Sequence, residues 1–273
     1  MEIKKFMSAL MMCMLAFTSV AFAASAGTDI GSGEVTVTGY GVIPYNAASQ
    51  GQARMMGRRA AVLDAYRLLA EAIRGVNVDS STTVQNMIVA SDTINAKVEA
   101  TIKGARIVSE RAGEDGSYEV VMSVPVFGVT GSLAEAVLPK TDFIEPFSAG
   151  SYTEAGEAAK KNIQAQANFT GVVVDCSGFG LRTAMSPVII CENGQKVYGY
   201  KNLDSKVVIS KGMAGYADSL DGAGRAGSNP LVLRAVNIDN NVNPVLSQDD
   251  VDRMLAENQS THFLDACNVV FIR

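Results

Sequence analysis

The feature that most constrains this fold is one long amphipathic helix in the first half of the chain. From Ala47 to Arg74, apolar side chains recur at steps of three and four, which predicts a helix with one core-facing stripe. Gly75 is well placed to end this helix. We assign the stripe to the following apolar positions: Ala53, Met56, Ala60, Leu63, Tyr66, Leu69 and Ile73.

Predicted strands before and after this helix provide a surface that can cover the stripe. Residues 34–38 alternate with period two and predict a strand, while residues 105–111 and 117–126 flank a short Gly-containing loop and predict a hairpin. A second helix over 92–103 is offered Ser91 as its N-cap. The sequence therefore predicts an α+β fold in which the long helix packs on a small antiparallel sheet.

The second half of the chain has shorter elements. The apolar runs 172–174 and 188–190 indicate buried strands, and Asn193-Gly194 indicates a hairpin turn because both residues tolerate positive φ. Residues 231–236 and 269–272 predict further strands, and Ser247 opens a capping pattern before a helix. Several glycines interrupt these elements, so a second, loop-rich α+β domain is expected.

The N-terminus has the pattern of a secretory signal peptide. Lys4 and Lys5 precede an uncharged apolar run from Phe6 to Val20, and small residues at Ala21 and Ala23 form a cleavage site. The run is about 15 residues long, which is short for a bilayer span, although an uncleaved anchor is the alternative. We therefore predict export through a signal peptide over residues 1–23.

Composition shifts divide the rest of the chain into three parts. We predict a first domain over 34–137, a linker with one helix over 138–166, and a second domain over 167–273. No segment after the signal peptide reaches the length of a transmembrane span.

The cysteines allow two interpretations in an oxidising compartment. Cys176 and Cys191 lie on neighbouring predicted strands, so they are the preferred disulfide pair among the three cysteines that follow the signal peptide. The alternative is that both, together with Cys267, are buried free thiols. Cys13 follows two methionines inside the apolar run, a context that does not suit lipid attachment.

No catalytic pattern emerges from the residue types. The single histidine, His262, lies in an apolar-leaning segment and is expected to be structural. Gly222 to Gly227 matches the dinucleotide fingerprint, but a predicted strand follows it where that fingerprint requires a helix, so a flexible surface loop is expected. We predict no catalytic residue, no cofactor and no metal site.

The distribution of charge argues against a nucleic-acid partner and indicates one candidate contact patch. The formal net charge is −5 without a concentrated basic stripe, which argues against nucleic-acid binding. Arg54, Arg58 and Arg59 form a small positive patch early on the long helix. A solvated helix face is the default interpretation, and a contact patch for an acidic partner or an anionic envelope polymer is the alternative.

Short groups along the first domain resemble known families. They are Gln52-Ala53-Arg54, Arg59-Ala60-Ala61, Asp64-Ala65-Tyr66-Arg67, Leu69-Ala70-Glu71, Gly104-Ala105-Arg106 and Tyr118-Glu119-Val120. Over residues 34–128 this pattern resembles the LPP-type outer-membrane lipoprotein family and is similar to the N-terminal domain of flagellar assembly protein T. The second half contains Thr170-Gly171-Val172-Val173-Val174-Asp175, Gly178-Phe179-Gly180 and Ala184-Met185-Ser186-Pro187, and with these groups it resembles a region of uncharacterised exported bacterial proteins. The resemblance implies an envelope protein and supplies no catalytic residue.

These observations predict a non-enzymatic protein of the periplasm or the outer-membrane periphery that acts through protein–protein contacts. Envelope or flagellar basal-body proteins are the expected partners. The alternative is a periplasmic binding module for a small ligand or polysaccharide, using the Gly-rich loops near Asp221. An enzyme of unfamiliar type is the third hypothesis.

Overall fold

A computed structural model describes residues 30–147 and 168–273. The predicted signal peptide, Cys13 and the helix predicted inside the linker lie outside these residues. The predicted α+β class is confirmed, with a long helix on an antiparallel sheet followed by a second, sheet-rich part.

The first half is built around a three-stranded antiparallel sheet with strand order β1-β3-β2. Its elements, in chain order, are β1 (Glu34–Val42), α1 (Gln50–Arg74), α2 (Val84–Ala90), α3 (Asp92–Lys103), β2 (Arg106–Ala112), β3 (Ser117–Pro125) and α4 (Leu133–Val137).

Local capping sets the ends of the two predicted helices. The Ser49 hydroxyl accepts a hydrogen bond from the Gln52 amide at 3.1 Å and opens α1. The Ser91 hydroxyl accepts from the Ile94 amide and opens α3, which ends before Gly104 as predicted.

The buried face of α1 differs from the predicted stripe. Leu69 and Ile73 are buried as expected, but Met56 and Leu63 keep 49% and 70% of their surface exposed. The residues that face the core are mostly small: Ala53, Gly57, Ala61, Ala65, Leu68, Leu69, Ala72 and Ile73. The predicted stripe is therefore confirmed at Ala53 but wrong from Met56 to Leu63, where the helix is rotated toward its small residues.

Two glycines of β1 explain this rotation. A Cβ added to Gly39 would lie 2.3 Å from the Ala65 nitrogen, and one added to Gly41 would lie 2.2 Å from the Gly57 oxygen. The backbones of strand and helix therefore approach so closely that only small side chains fit between them. The larger side chains of α1 turn outward. We call this contact the β1–α1 seam.

The second half contains two four-stranded sheets. One has the order β7-β11-β4-β8 and is parallel throughout, and the other has the order β6-β5-β10-β9 and is mixed. The elements are β4 (Gly171–Asp175), β5 (Ile189–Cys191), β6 (Lys196–Tyr198), α5 (Ser205–Lys211), β7 (Gly215–Ala217), β8 (Pro230–Arg234), β9 (Asn237–Asp239), β10 (Asn243–Leu246), α6 (Gln248–Thr261) and β11 (Val269–Ile272).

The first part of the predicted linker lies on the second half. The Glu145 amide donates to the Lys201 carbonyl at 2.8 Å, and the Ser205 hydroxyl donates to the Thr141 carbonyl at 3.0 Å. The Phe147 ring stacks on Tyr198 with 6.2 Å between centroids. We call residues 139–147 the strap.

The two halves also share one hydrophobic cluster, which runs from residues of α1 and the first sheet to β4 and β11. Backbone hydrogen bonds cross the junction, from the Met185 amide to the Asn77 carbonyl at 3.0 Å and from the Ser186 amide to the Val78 carbonyl at 2.7 Å. Among the residues that the structure describes, no helix is both long and apolar enough to cross a bilayer.

Candidate functional site

The single histidine lies at a helix end on the surface. His262 adopts the left-handed conformation after α6, and its Nδ1 lies 3.6 Å from the Asp265 carboxylate. Its side chain is 72% exposed, and within the described residues no cysteine or serine hydroxyl is recorded in contact with it. The arrangement terminates a helix and does not assemble a nucleophile with a base.

The predicted disulfide between Cys176 and Cys191 is not formed in this structure, which instead has the alternative of three buried free thiols. Cys176 follows β4 in the parallel sheet, whereas Cys191 ends β5 in the mixed sheet. The two strands are neighbours in the sequence but belong to different sheets. Their order along the chain was therefore not enough to predict a disulfide between the two thiols. Burial raises the pKa of the Cys176 thiol to about 12, so it stays protonated at neutral pH.

The glycine-rich segment 222–227 is ordered as short 3-10 turns and leads into β8, not into a helix. Its Arg225 donates to the carbonyl oxygens of Cys267 at 2.8 Å and Lys211 at 2.9 Å, and also to that of Gly212. One guanidinium thus ties together the end of α5, the approach to β11 and the segment itself. Through Arg225, the segment therefore contributes to the stability of the second half.

The acidic residues are also explained locally. In the first turn of α6, Asp250 accepts a hydrogen bond from Ser247, and in the next turn Asp252 accepts one from Gln248. Asp239 accepts from the side-chain amides of Asn240 and Asn243. Over residues 30–147 and 168–273, no cluster of three or more histidine, cysteine, aspartate or glutamate side chains could hold a metal ion.

A concave site lies at the N-terminal end of α1. It has a volume of about 540 Å³, within the range of ligand sites, and we call it the basic cleft. Its lining comes from the β1–α1 connection, the first turns of α1 and the end of β2: Ile43, Pro44, Tyr45, Ala47, Ser49, Gln50, Ala53, Arg54, Ala112 and Gly113.

Local structure holds the walls of the basic cleft in place. The Ile43 amide donates to the Gly116 carbonyl at 2.8 Å, which fastens the end of β1 to the β2–β3 turn. The Ala48 amide donates to the Gln52 side chain at 3.1 Å, just before Ser49 caps α1. The three segments that form the walls are therefore fixed to one another by hydrogen bonds.

The structure separates the three arginines of the predicted contact patch. Arg54 lines the basic cleft and is exposed. Arg58 forms an ion pair with Glu110 of β2 at 2.8 Å. Arg59 is exposed on the helix and is not part of the lining. Only Arg54 offers its cation directly to an occupant of the cleft.

The lining of the basic cleft carries one cation, Arg54, and two exposed acids, Glu114 and Asp115, directly follow its residue Gly113. No carboxylate belongs to its lining, and the first turn of α1 carries no acid. Glu110 is paired with Arg58, Asp115 accepts hydrogen bonds from the hydroxyl and amide of Ser117, and Glu114 is exposed. The Ser117 hydroxyl holds the pKa of Asp115 below its usual value, so this carboxylate already has its donors.

The sequence analysis did not predict the exposed apolar residues at and beside this site. Tyr45 is fully exposed and Val42 is 78% exposed at the end of β1. Pro44-Tyr45, placed between a strand and a helix, was the signal that could have indicated it, since a large apolar side chain in a connection has no core to enter.

Two other concave regions carry their own counter-charges. A cleft of about 330 Å³ between α3 and α4 holds Lys97 and Lys140, but also Glu135, which pairs with Lys140 at 3.8 Å. A polar pocket of about 250 Å³ where the two halves meet includes Arg273, whose Nε lies 3.1 Å from the Asp218 carboxylate. Lys97 in the first region and Arg182 in the second are exposed cations as well.

Comparison with known proteins gives one match for each half. Residues 38–125 match the family model of the LPP20 lipoprotein, and residues 171–273 match a model described as Treponema pallidum Tp0624, second domain. Each match covers less than half of the chain. No curated protein matches the chain.

The matches confirm the two-part resemblance inferred from the sequence, with a lipoprotein family in the first half and a different family in the second. The lipoprotein match points to an exported, envelope-associated protein and includes every residue that lines the basic cleft. The flagellar resemblance stays a prediction.

Proposed function

We propose that this chain is a non-enzymatic protein of the bacterial cell envelope that acts through protein–protein contacts, made at the basic cleft. The observation that carries the proposal is that the half similar to LPP20 lipoproteins holds an open cleft with Arg54 on its wall and a fully exposed tyrosine in its lining. Exposed aromatic and arginine side chains are the residue types that dominate protein interfaces.

The remaining chemistry of the described residues supports a contact function over catalysis. The thiols are buried, and the pKa of both Cys176 and Cys267 is raised by burial, which disfavours the reactive thiolate. The His262 side chain lies beside Asp265, with 3.6 Å between its Nδ1 and the carboxylate. The compartment follows from the predicted signal peptide, and outer-membrane or flagellar basal-body proteins are the partners that we propose.

Site-specific photo-crosslinking in intact cells tests this function. A photoreactive amino acid at Tyr45 is expected to give a covalent adduct with one envelope protein, which mass spectrometry identifies. The same amino acid at Ser260, an exposed position at the end of α6, is the matched control and should give no such adduct. Absence of any protein adduct at Tyr45 would overturn the proposal.

Enzymatic activity of the purified protein would also overturn the proposed contact function. If the purified mature protein turned over a hydrolytic or redox substrate, and His262→Ala or Cys191→Ser abolished that turnover, the protein would be an enzyme and the contact function would be wrong.

A further inference from the structure

The surface beneath the strap holds an extended polypeptide through specific contacts. The Tyr200 hydroxyl donates a hydrogen bond to the Pro139 carbonyl. The Asn202 side-chain amide donates to the carbonyl oxygens of both Glu145 and Pro146, at 3.2 Å in each case. We call the residues of the second half that make these and the following contacts the strap site: Tyr198, Tyr200, Lys201, Asn202 and Ser205.

Most contacts of the strap site go to main-chain atoms of the strap. The Ser205 hydroxyl accepts from the Thr141 amide at 3.3 Å and donates to the Thr141 carbonyl at 3.0 Å. The Lys201 carbonyl accepts from the Glu145 amide at 2.8 Å. Because all residues other than proline offer the same backbone groups, another extended segment can make these contacts in place of the strap.

Two side chains of the strap add selectivity to this backbone recognition. The Phe147 ring stacks on Tyr198, and the Glu145 carboxylate lies 3.6 Å from the Lys201 Nζ. Between them, Pro146 restricts the residue before it to an extended backbone, which lowers the entropy cost of ordering the segment. The strap site therefore matches an acidic residue, a proline and an aromatic residue in succession.

The strap itself is held with few buried contacts. Each of its residues is exposed or half-buried, and none belongs to a helix or a strand. Segments of this kind open locally at a small cost in free energy. Below the strap, Tyr198 is fully buried and Ser205 is only 3% exposed, so opening leaves an aromatic ring and several hydrogen-bonding groups that a new segment can engage.

We propose that the strap site binds an extended segment of a partner protein with this acidic–proline–aromatic pattern, and that the strap is an internal competitor that must lift first. The affinity for the partner is then reduced by the fraction of molecules in which the strap is open. The strap site shares no residue with the lining of the basic cleft, so this inference goes beyond the proposed function and does not depend on it.

The test uses the full mature chain and a fluorescein-labelled peptide with the sequence of residues 139–147, Pro-Lys-Thr-Asp-Phe-Ile-Glu-Pro-Phe. Phe147→Ala removes the stacked ring from the strap and so raises the fraction of open molecules. Fluorescence anisotropy should show that this variant binds the peptide at least about tenfold more tightly than the unmodified protein does, because the competitor has lost an aromatic contact. Circular dichroism checks that the variant is folded.

Phe143→Ala is the matched control within the strap. It removes the same side chain from the same segment, but this ring is 71% exposed and is not the one that stacks on Tyr198. The affinity for the peptide should stay within about twofold of that of the unmodified protein. An equal gain for both variants would indicate non-specific binding and would contradict the role of the stacked ring.

Changes in the strap site and in the peptide locate the binding. In the Phe147→Ala background, Asn202→Ala should weaken binding at least about fivefold, because two carbonyls of the peptide lose their donor. Replacing the last phenylalanine of the peptide by alanine should also weaken binding, whereas replacing the middle one should have little effect. Binding that ignores both Asn202 and the last phenylalanine would place the peptide elsewhere and rule out the strap site.

Hydrogen–deuterium exchange tests the unmodified protein and does not depend on how any variant folds. Peptide at high concentration displaces the strap, so mass spectrometry should find that residues 139–147 of the protein take up deuterium faster when the peptide is present. If the peptide bound and uptake by the strap stayed the same, strap and peptide would not compete, and the proposal would be wrong.

Size-exclusion chromatography tests whether a second copy of the chain is the occupant instead. If Phe147→Ala formed a dimer and no longer bound the peptide, the second copy would replace the partner segment. If the variant stayed a folded monomer and bound no peptide, the inference would be lost. Neither result bears on the basic cleft, so the adduct expected at Tyr45 decides the proposed function separately.

Discussion

Two regions of this chain are rich in glycine, and they differ in how much space surrounds the glycines. In the β1–α1 seam, Gly39 and Gly41 are buried, and a Cβ on either one would enter the backbone of the helix. In the segment 222–227, a Cβ on Gly224 would have no atom within 4 Å, and one on Gly222 would meet only the Ala217 side chain at 3.3 Å. Gly227 is the exception in this segment, because its φ is +82° and its Cβ would lie 2.4 Å from the Thr170 hydroxyl oxygen.

The difference shows that the role of a glycine cannot be inferred from its spacing in the sequence alone. It depends on which atoms pack against that glycine in the fold. The segment 222–227 carries the spacing of a nucleotide-binding fingerprint, yet its main contacts come from the side chain of Arg225. The glycines of β1 belong to no motif, yet they determine which face of α1 is buried. Three substitutions sharpen or break this comparison.

The largest effect is expected for Gly39→Val. The added side chain would collide with the Ala65 nitrogen and the Ala61 oxygen, both backbone atoms that cannot move aside without shifting the helix. We expect a loss of at least about 3 kcal/mol in the free energy of unfolding. Thermal denaturation followed by circular dichroism measures it, because the chain has no tryptophan.

Gly51→Ala is the matched control for the seam. Its Cβ would lie 3.9 Å from the nearest atom outside the helix backbone, the Ser49 hydroxyl, and should not destabilise the protein. If Gly39→Val were tolerated as well as Gly51→Ala, the close approach of strand and helix would be wrong.

An intermediate effect is expected for Arg225→Ala. The substitution leaves the carbonyls of Cys267, Lys211 and Gly212 without their donor, in a region that is partly closed to water. We expect a loss of about 2–3 kcal/mol, somewhat offset because a partly buried cation is removed. Arg59→Ala, at an exposed position, is the control, and a loss no larger than that of the control would contradict a structural role for Arg225.

The smallest effect is expected for Gly224→Ala. Space is open around this position and its φ is not positive, so an L-residue fits, and stability should change by less than about 0.5 kcal/mol. A nucleotide-binding loop would lose its ligand on the same substitution, because its backbone must approach the phosphates closely. A large destabilisation would show that glycine at this position has a role after all.

The elements with strong local signals could be predicted from the sequence. The alternation in β1, the hairpin of β2 and β3, and the capped helices α1 and α3 all depend on neighbours in sequence, and the structure contains each of them. Several short elements were missed. In β7 and β9, three residues are too few to show a period, and β7 pairs in parallel with β11, a strand from a distant part of the chain.

The error in the face of α1 has a physical cause that the sequence does contain. Spacing at steps of three and four selected Met56 and Leu63, although a helix packed on glycines buries the face that carries its small residues. The spacing of Gly39 and Gly41 on one face of β1 was the missing signal. For the site, Arg54 was predicted, but the cleft around it forms only when the β2–β3 turn folds back against β1.

The strap has a consequence for how this chain can be divided. The match to the second half begins at residue 171, yet the ring of Tyr198 is covered by Phe147, and the Tyr200 hydroxyl donates to the Pro139 carbonyl. A fragment cloned from residue 168 onward would carry a bare aromatic surface in place of that cover. A fragment that keeps the second half covered, whether it arises by gene fusion or is expressed from a plasmid, therefore includes the strap as well as the residues that match the second family.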